Sequence, residues 1–582
     1  MPQNQKNFKT YILSFVLVIM VLFLNGCHTK KNTSEADFDD FLNQIFIQEV
    51  QTDSITLNYT LADPVSYGVR TKAPTLGSFS SRQQKKQLAT LENYKTALTS
   101  FSYSSLTSSQ KKDYDVLLAY LNMSLTDEKY LYYNEILSPT TGIQAQLPVL
   151  LSEYHIESKE DLDQYLSLLS CTKDYFSSIL SFEAEKAKRG LFMSDENAKA
   201  VIAQCERFSS TKENNAMIET FNTRIEEFDW LTKKQKNKYK SRNQKKVLNV
   251  VIPAYEDLMA GLYNLLGSGT NDEGLAHFPR GKDYYTYLIH TYTGSSKSIP
   301  EFKEGLEKLV YEDIQTIKKI LLKNPAILEQ LNDNLLPTGN PEALLDNLSS
   351  QITADFPELK QVSYQIKYVH PSLEAYLSPA FYLSPPIDKD IQNTVYINTY
   401  GLKENASLYA TLAHEGYPGH LYQTVFYHAQ NPAPIRTLLN FSGYSEGWAT
   451  YAELYSYRYC GQRPTIWTIL QANHSLTLCL YAIVDLGINY YGWSFSETKD
   501  YLNTFSIKND ALVHRMYTSM TQEPGNYLKY AGGYYEILEL KKYAQKHMGK
   551  SYSDKAFHSY IVSFGPAPFD IIKKYMKKEL LN

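Results

Sequence analysis

Two histidines and a glutamate stand close together in Ala413-His414-Glu415-Gly416-Tyr417-Pro418-Gly419-His420. A His-Glu pair opening a helix-like segment suits hydrolysis at zinc. In the His-Glu-x-x-His arrangement, imidazoles at i and i+4 share one helix face and the glutamate activates metal-bound water. This chain departs from that spacing, with Pro418 at i+4 and the next histidine at i+6. On an ideal helix, six steps leave His420 about 120° round the axis and about 9 Å along it, too far for two ligands of one ion. Pro418 removes a backbone donor and Gly419 relaxes the chain, so the helix is expected to bulge or break and turn His420 back toward His414. The third ligand is expected from Glu446, in the first turn of a helix that Ser445 can cap. Two histidines and one glutamate would hold one zinc ion with a position left open. Glu453 lies on the same helix face as Glu446 and is placed to orient a ligand histidine.

The remaining roles follow from residue type. Glu415 is the expected proton acceptor and later donor. A tyrosine hydroxyl would steady the oxyanion, with Tyr530 the first choice because Gly532-Gly533 beside it permits close backbone approach. Tyr517, Tyr527, Tyr534 and Tyr535 compete in a chain holding 49 tyrosines. Thr394-Val395-Tyr396-Ile397-Asn398 is the best β-like run, expected to pair by its edge with an extended peptide, with Asn398 holding a substrate backbone group. His558 reads either as a substrate contact or as a satisfied structural histidine.

The elements that must position these residues are mainly helical. Phe38, Phe41, Leu42, Ile45 and Phe46 form one apolar face at helical spacing, as do Tyr114, Leu117, Leu118 and Leu121, and Leu162, Tyr165, Leu166 and Leu169. Lys233 to Lys246 is strongly basic and reads as a solvated helix face or loop. The 582 residues, 43% hydrophobic and 21% charged, carry 58 basic and 62 acidic side chains, a balance that gives no reason to expect nucleic-acid binding. No repeat and no long linker divides the chain, so residues 38–582 are expected to form one large, mainly α domain, bilobal around a cleft, with a small β element beside the site.

The N-terminus sets the expected compartment. Lys6 and Lys9 precede an apolar stretch, Tyr11 to Leu24, that ends in Leu24-Asn25-Gly26-Cys27. This order is a signal peptide over residues 1–26 with lipidation at Cys27, followed by a polar tether to residue 37. The protein is therefore expected on the extracytoplasmic face, membrane-anchored by lipid. Cys171, Cys205, Cys460 and Cys479 form no Cys-x-x-Cys pair and are expected as free thiols.

Taken together, the motifs resemble the bacterial domain of unknown function 885 family. The likeness rests on His414 to His420 with Gln423, on Glu446-Gly447-Trp448-Ala449-Thr450-Tyr451-Ala452-Glu453, and on Pro524 with Tyr530 and Gly533. Phe557-His558 with Gly565 and Pro568, and upstream Gly190-Leu191, Gly281 and Tyr284, extend it over roughly residues 38–580. Met193, and the stretch between Arg515 and Pro524, depart from the family pattern. The resemblance implies a zincin-like helical fold and zinc-dependent peptide hydrolysis. Two other readings stay open: a peptide-binding lipoprotein without chemistry, and a degenerate zincin in which Pro418 marks loss of the metal.

Overall fold

Helical periodicity becomes buried surface along most of the chain. In the computed structural model, helix Glu35–Glu49 buries Phe38, Leu42, Ile45 and Phe46 on one face, with Phe41 packed beside them. Helix Lys159–Leu169 buries Leu162, Tyr165, Leu166 and Leu169, and starts at a reciprocal cap between Ser158 and Asp161. The structure describes residues 35–580 except 71, 270–271, 332–334, 361, 372–373, 375–376, 390–391 and 401–406. The apolar stretch 11–24, Cys27 and the tether up to residue 34 lie outside the described residues. The last residues assigned to the tether, 35–37, are already helical.

Two large hydrophobic cores organise the molecule. One draws on Phe38 to Tyr130 and again on Leu275 to Met576. The other is built from residues between Leu76 and Leu262. The basic run is helix Lys233–Lys246, with Tyr239 and Asn243 turned inward. Lys236 and Lys240 face Glu226, and Arg242 pairs with Asp163. It is a solvated face, as its composition predicts. Among the described residues the four cysteines are free thiols.

The β element is a three-stranded sheet, β1 (Tyr364–Tyr368), β2 (Ala380–Leu383) and β3 (Asn393–Ile397), in the order β1-β3-β2. This corrects the expectation of a free edge at 394–398. β3 is the central strand, parallel to β1 and antiparallel to β2, and all five of its residues are buried. Its ladder groups are already paired, so it has no edge to offer a peptide.

One helix crossing fixes the rest. Helices Ser442–Ser456 and Asn526–Met548 meet backbone to backbone at Gly443, Gly447 and Gly533. A Cβ on Gly447 would overlap the Gly533 carbonyl carbon, and one on Gly533 would lie 2.7 Å from Gly447 Cα. No side chain can relieve either overlap, because both neighbours are backbone.

A methyl at this crossing must push the helices apart. Gly447→Ala is expected to destabilise the fold by about 1–3 kcal/mol, the usual cost of overpacking. A lowered unfolding midpoint in denaturant would show it.

Candidate metal centre

The centre is assembled around a broken helix. Helix Leu408–Glu415 starts at Ser407, whose side chain accepts from Ala410 N, and stops at Gly416. Gly416 (φ −110°, ψ −100°) and Gly419 (φ −77°, ψ −132°) bracket a turn with the Tyr417–Pro418 peptide cis, and a second helix, His420–His428, follows. A Cβ on Gly419 would overlap the His414 carbonyl, so the return of the chain depends on glycine there. The Pro418 carbonyl accepts the indole N–H of buried Trp448 at 2.9 Å, tying the turn to helix 442–456. The break brings the His414 and His420 rings to 5.0 Å between centroids, as the Pro-Gly step predicts.

Glu446 comes from helix 442–456 to the same point. Its Oε2 lies 3.5 Å from His414 Nε2 and 3.4 Å from His420 Nε2. The three donor atoms all lie within 4.8 Å of one another. Two donors on one tetrahedral zinc, each about 2.0–2.1 Å from the ion, are about 3.4 Å apart. Both imidazole–carboxylate separations therefore fit a shared ion, and both exceed an ordinary N–H···O hydrogen bond. The donor set, two imidazoles and one carboxylate, is also the chemistry zinc takes.

A second layer holds the first. Glu453 Oε2 accepts from His414 Nδ1 at 3.1 Å, which leaves the Nε2 lone pair of the neutral ring facing Glu446. The other oxygen, Oε1, lies 3.4 Å from His474 Nδ1, which is also 2.9 Å from the Tyr457 hydroxyl. Sequence reasoning missed His474 and Tyr457. His474 is a lone histidine within helix Pro464–Leu486, and no local motif marks it.

Charge at the centre is mutually arranged. Burial opposes ionisation of Glu446, yet the two facing imidazoles hold its carboxyl well below the usual range. Burial likewise opposes charge on His414, but Glu446, Glu453 and Glu415 raise its pKa well above the ordinary value. A metal at Nε2 would bind the neutral ring, in competition with the proton these carboxylates favour. Glu415 behaves differently: burial raises its pKa, against the pull of His420 and His414. Its Oε2 accepts Tyr382 N–H from β2 at 2.9 Å, so the sheet fixes its orientation.

Of the tyrosines considered, Tyr530 is the one beside the histidines, its ring 6.1 Å from that of His414. Tyr517 packs on Phe495, Tyr527 on Tyr481 and Tyr535 on Phe302, and Tyr534 is buried near Asp313 and Ser475. Burial, with the charges of Glu446 and Glu415, raises the Tyr530 pKa well above normal and keeps the hydroxyl protonated.

Asn398 and His558 are not brought to the site. Asn398 is fully buried, donating to the carbonyls of Glu374 and Leu377 and accepting Tyr400 N–H, so it organises a loop. His558 is also fully buried, with Nδ1 2.7 Å from the Asp355 carbonyl and Nε2 2.8 Å from the Tyr451 hydroxyl. The carbonyl can only accept, so Nδ1 carries the proton and Nε2 accepts from Tyr451. Burial lowers the pKa of this imidazole to about 3, which keeps it neutral and structural.

With this geometry established, known proteins give a consistent picture of the fold. A Colwellia psychrerythraea protein named as a lipoprotein is 18% identical and superposes with a TM-score of 0.82, over 94% of this chain and 99% of that one. A Shewanella oneidensis protein named as a lipoprotein of unknown function is 17% identical with a TM-score of 0.63, over 93% of this chain and 99% of that one. No curated protein matches the sequence. The model of one family of bacterial proteins of unknown function, DUF885, matches residues 64–576, and the chain belongs to that family.

Proposed function

We propose that the protein is a zinc-dependent, zincin-like peptidase, anchored outside the cell membrane by lipid on Cys27. The observation that carries this reading is the convergence of His414, His420 and Glu446 donors at separations fit for one ion, with Glu415 alongside. Zinc held there would supply Lewis acidity, polarising a peptide carbonyl and acidifying water at its open position.

The chain's own residues supply the rest. Glu415, with one oxygen fixed by Tyr382 N–H, receives the proton of the attacking water on its other oxygen. Its raised pKa makes it a stronger base than a solvated glutamate, and it returns the proton to the leaving amine. The Tyr530 hydroxyl donates to the oxyanion of the tetrahedral intermediate. A peptide lies in extended form along β2, the edge strand whose Tyr382 N–H already points away from β3 toward Glu415. β2 thus takes the role first expected of β3. The separate cores support the two lobes of this reading, with the cleft part of the proposal. The likeness to proteins named as lipoproteins supports the anchor. A metal-free scaffold has no need to hold two imidazoles and a carboxylate at these separations.

Three outcomes test the proposal. Glu415→Gln is expected to keep about one zinc per chain by elemental mass spectrometry while peptide hydrolysis falls about 10²–10⁴-fold. Loss of zinc in that variant would instead make Glu415 a ligand. Tyr530→Phe should lower kcat about 10²-fold with little change in KM, the signature of a lost oxyanion donor in steady-state kinetics. Intact mass of the membrane fraction should show cleavage before Cys27 and an added lipid; an unprocessed N-terminus would end the anchoring part.

A further inference from the structure

Helix Asn526–Met548 brings a cation to the candidate metal centre as well as a phenol. Lys529, the residue before Tyr530, lays its Nζ over the Tyr530 ring, 5.2 Å from the centroid. That ring is itself 6.1 Å from the ring of His414, so the ammonium stands at the edge of the centre. The mechanism above gives it no role.

This ammonium is both accessible and unclaimed. Further along the same helix Lys541 pairs with Asp554 and Lys542 with Glu539. Lys529 is half-buried, yet among the described residues its Nζ is not enclosed and has neither a hydrogen-bond nor an acidic partner. The three acids whose charge reaches Tyr530 are Glu446, Glu415 and Glu523. Each has other partners: Glu446 faces His414 and His420, and Glu415 accepts Tyr382 N–H. Glu523 accepts the Ser138 hydroxyl at 2.9 Å and Thr141 N–H at 3.0 Å. The neighbouring phenols are open too. Tyr527 packs on Tyr481 at 4.9 Å between centroids, and the hydroxyls of Tyr481, Tyr527 and Tyr530 are partnerless and not enclosed among the described residues. This stretch of the helix therefore borders open space beside the centre. With acids prevailing around Tyr530, Lys529 is where an anion can be received, through a charge-assisted hydrogen bond that a neutral amide or an apolar group does not match.

We infer that Lys529 is a specificity residue of this site, its ammonium binding a carboxylate of the peptide. The inference rests on the peptidase reading for its purpose. The carboxylate has two sources, the C-terminus of a short peptide or a Glu or Asp side chain, and the same ammonium serves either.

Calorimetric titration of the full chain carrying Glu415→Gln, so that no probe is turned over, tests this with three probes. N-acetyl-Ala-Phe offers a terminal carboxylate, N-acetyl-Glu-Phe amide a side-chain one, and N-acetyl-Ala-Phe amide none. At least one carboxylate probe is expected to bind about tenfold or more tighter than the neutral probe, in line with a hydrogen bond to a charged group. Lys529→Met, which keeps an apolar stem beside Tyr530 and removes the charge, should cut that advantage to about twofold or less. Lys529→Arg should keep most of it. The probe that responds identifies the source. Equal binding of all three probes overturns the proposal, as does an advantage that survives Lys529→Met, since the carboxylate would then be held elsewhere. Equal loss in the Met and Arg variants also overturns it, because packing rather than charge would then be responsible. Peptide cleavage by the unsubstituted chain is read separately. Its absence with this binding intact would discard the peptidase reading and keep the role of Lys529; cleavage without the binding would do the reverse.

Discussion

Everything at the centre depends on how closely helices 442–456 and 526–548 approach. Gly443 and Gly447 on one and Gly533 on the other let the backbones touch, so neither helix can slide without a backbone clash. The first helix carries Glu446 and Glu453, and the second carries Tyr530 three residues before Gly533. One contact therefore sets the separation between the carboxylates and the phenol. Trp448, one residue past Gly447, extends the arrangement to the Pro418 carbonyl, so the turn between the two histidines is tied to the same helix as their shared carboxylate.

Burial gives those positions their electrostatic meaning. Three carboxylates, Glu415, Glu446 and Glu453, stand half-buried among His414, His420 and His474. Each carboxylate that faces an imidazole has its pKa lowered, and His414 has its pKa raised in turn. Glu415 is instead raised by its burial, against the pull of His420, His414 and the Tyr382 N–H. The same region thus divides its glutamates into two whose ionised form the imidazoles favour and one, raised by burial, suited to exchanging a proton. Divergence of this kind between neighbouring acids is what separates a holding role from an acid–base role. A divalent cation would take the place of the His414 proton as the partner of Glu446 without changing that division.

The sequence was most legible where local chemistry decides the outcome. Helical faces such as Phe38 to Phe46 follow from spacing, and the break after Glu415 follows from what Pro418 and Gly419 do to any helix. The order of His414, His420 and Glu446 sufficed to select three residues that meet in space. Legibility ended where partners come from afar. Strand order depends on which segments return to the sheet, so residues 394–398 read as an edge in sequence although β1 and β2 enclose β3. Asn398 reads as available in sequence because its partners, the carbonyls of Glu374 and Leu377, carry no sequence signal, whereas the structural reading of His558 is the one its contacts with Asp355 and Tyr451 support. His474 was invisible for the converse reason, since only the fold gives it Glu453.

The proposed anchor and the proposed site are also mechanically linked. Eight residue steps separate Cys27 from Glu35, where helix 35–49 begins. Even fully extended, at about 3.3–3.6 Å per residue, that chain reaches no more than about 29 Å. A globular chain of this length has a radius of gyration of about 25 Å, so the tether cannot carry the domain far from the lipid surface. Helix 35–49 is packed in the same hydrophobic core as Tyr409, Trp448 and Tyr534, which belong to the helices around the candidate metal centre. Lipidation at Cys27, as proposed, would hold the domain within a tether length of the lipid surface, where the proposed reaction would meet its peptides.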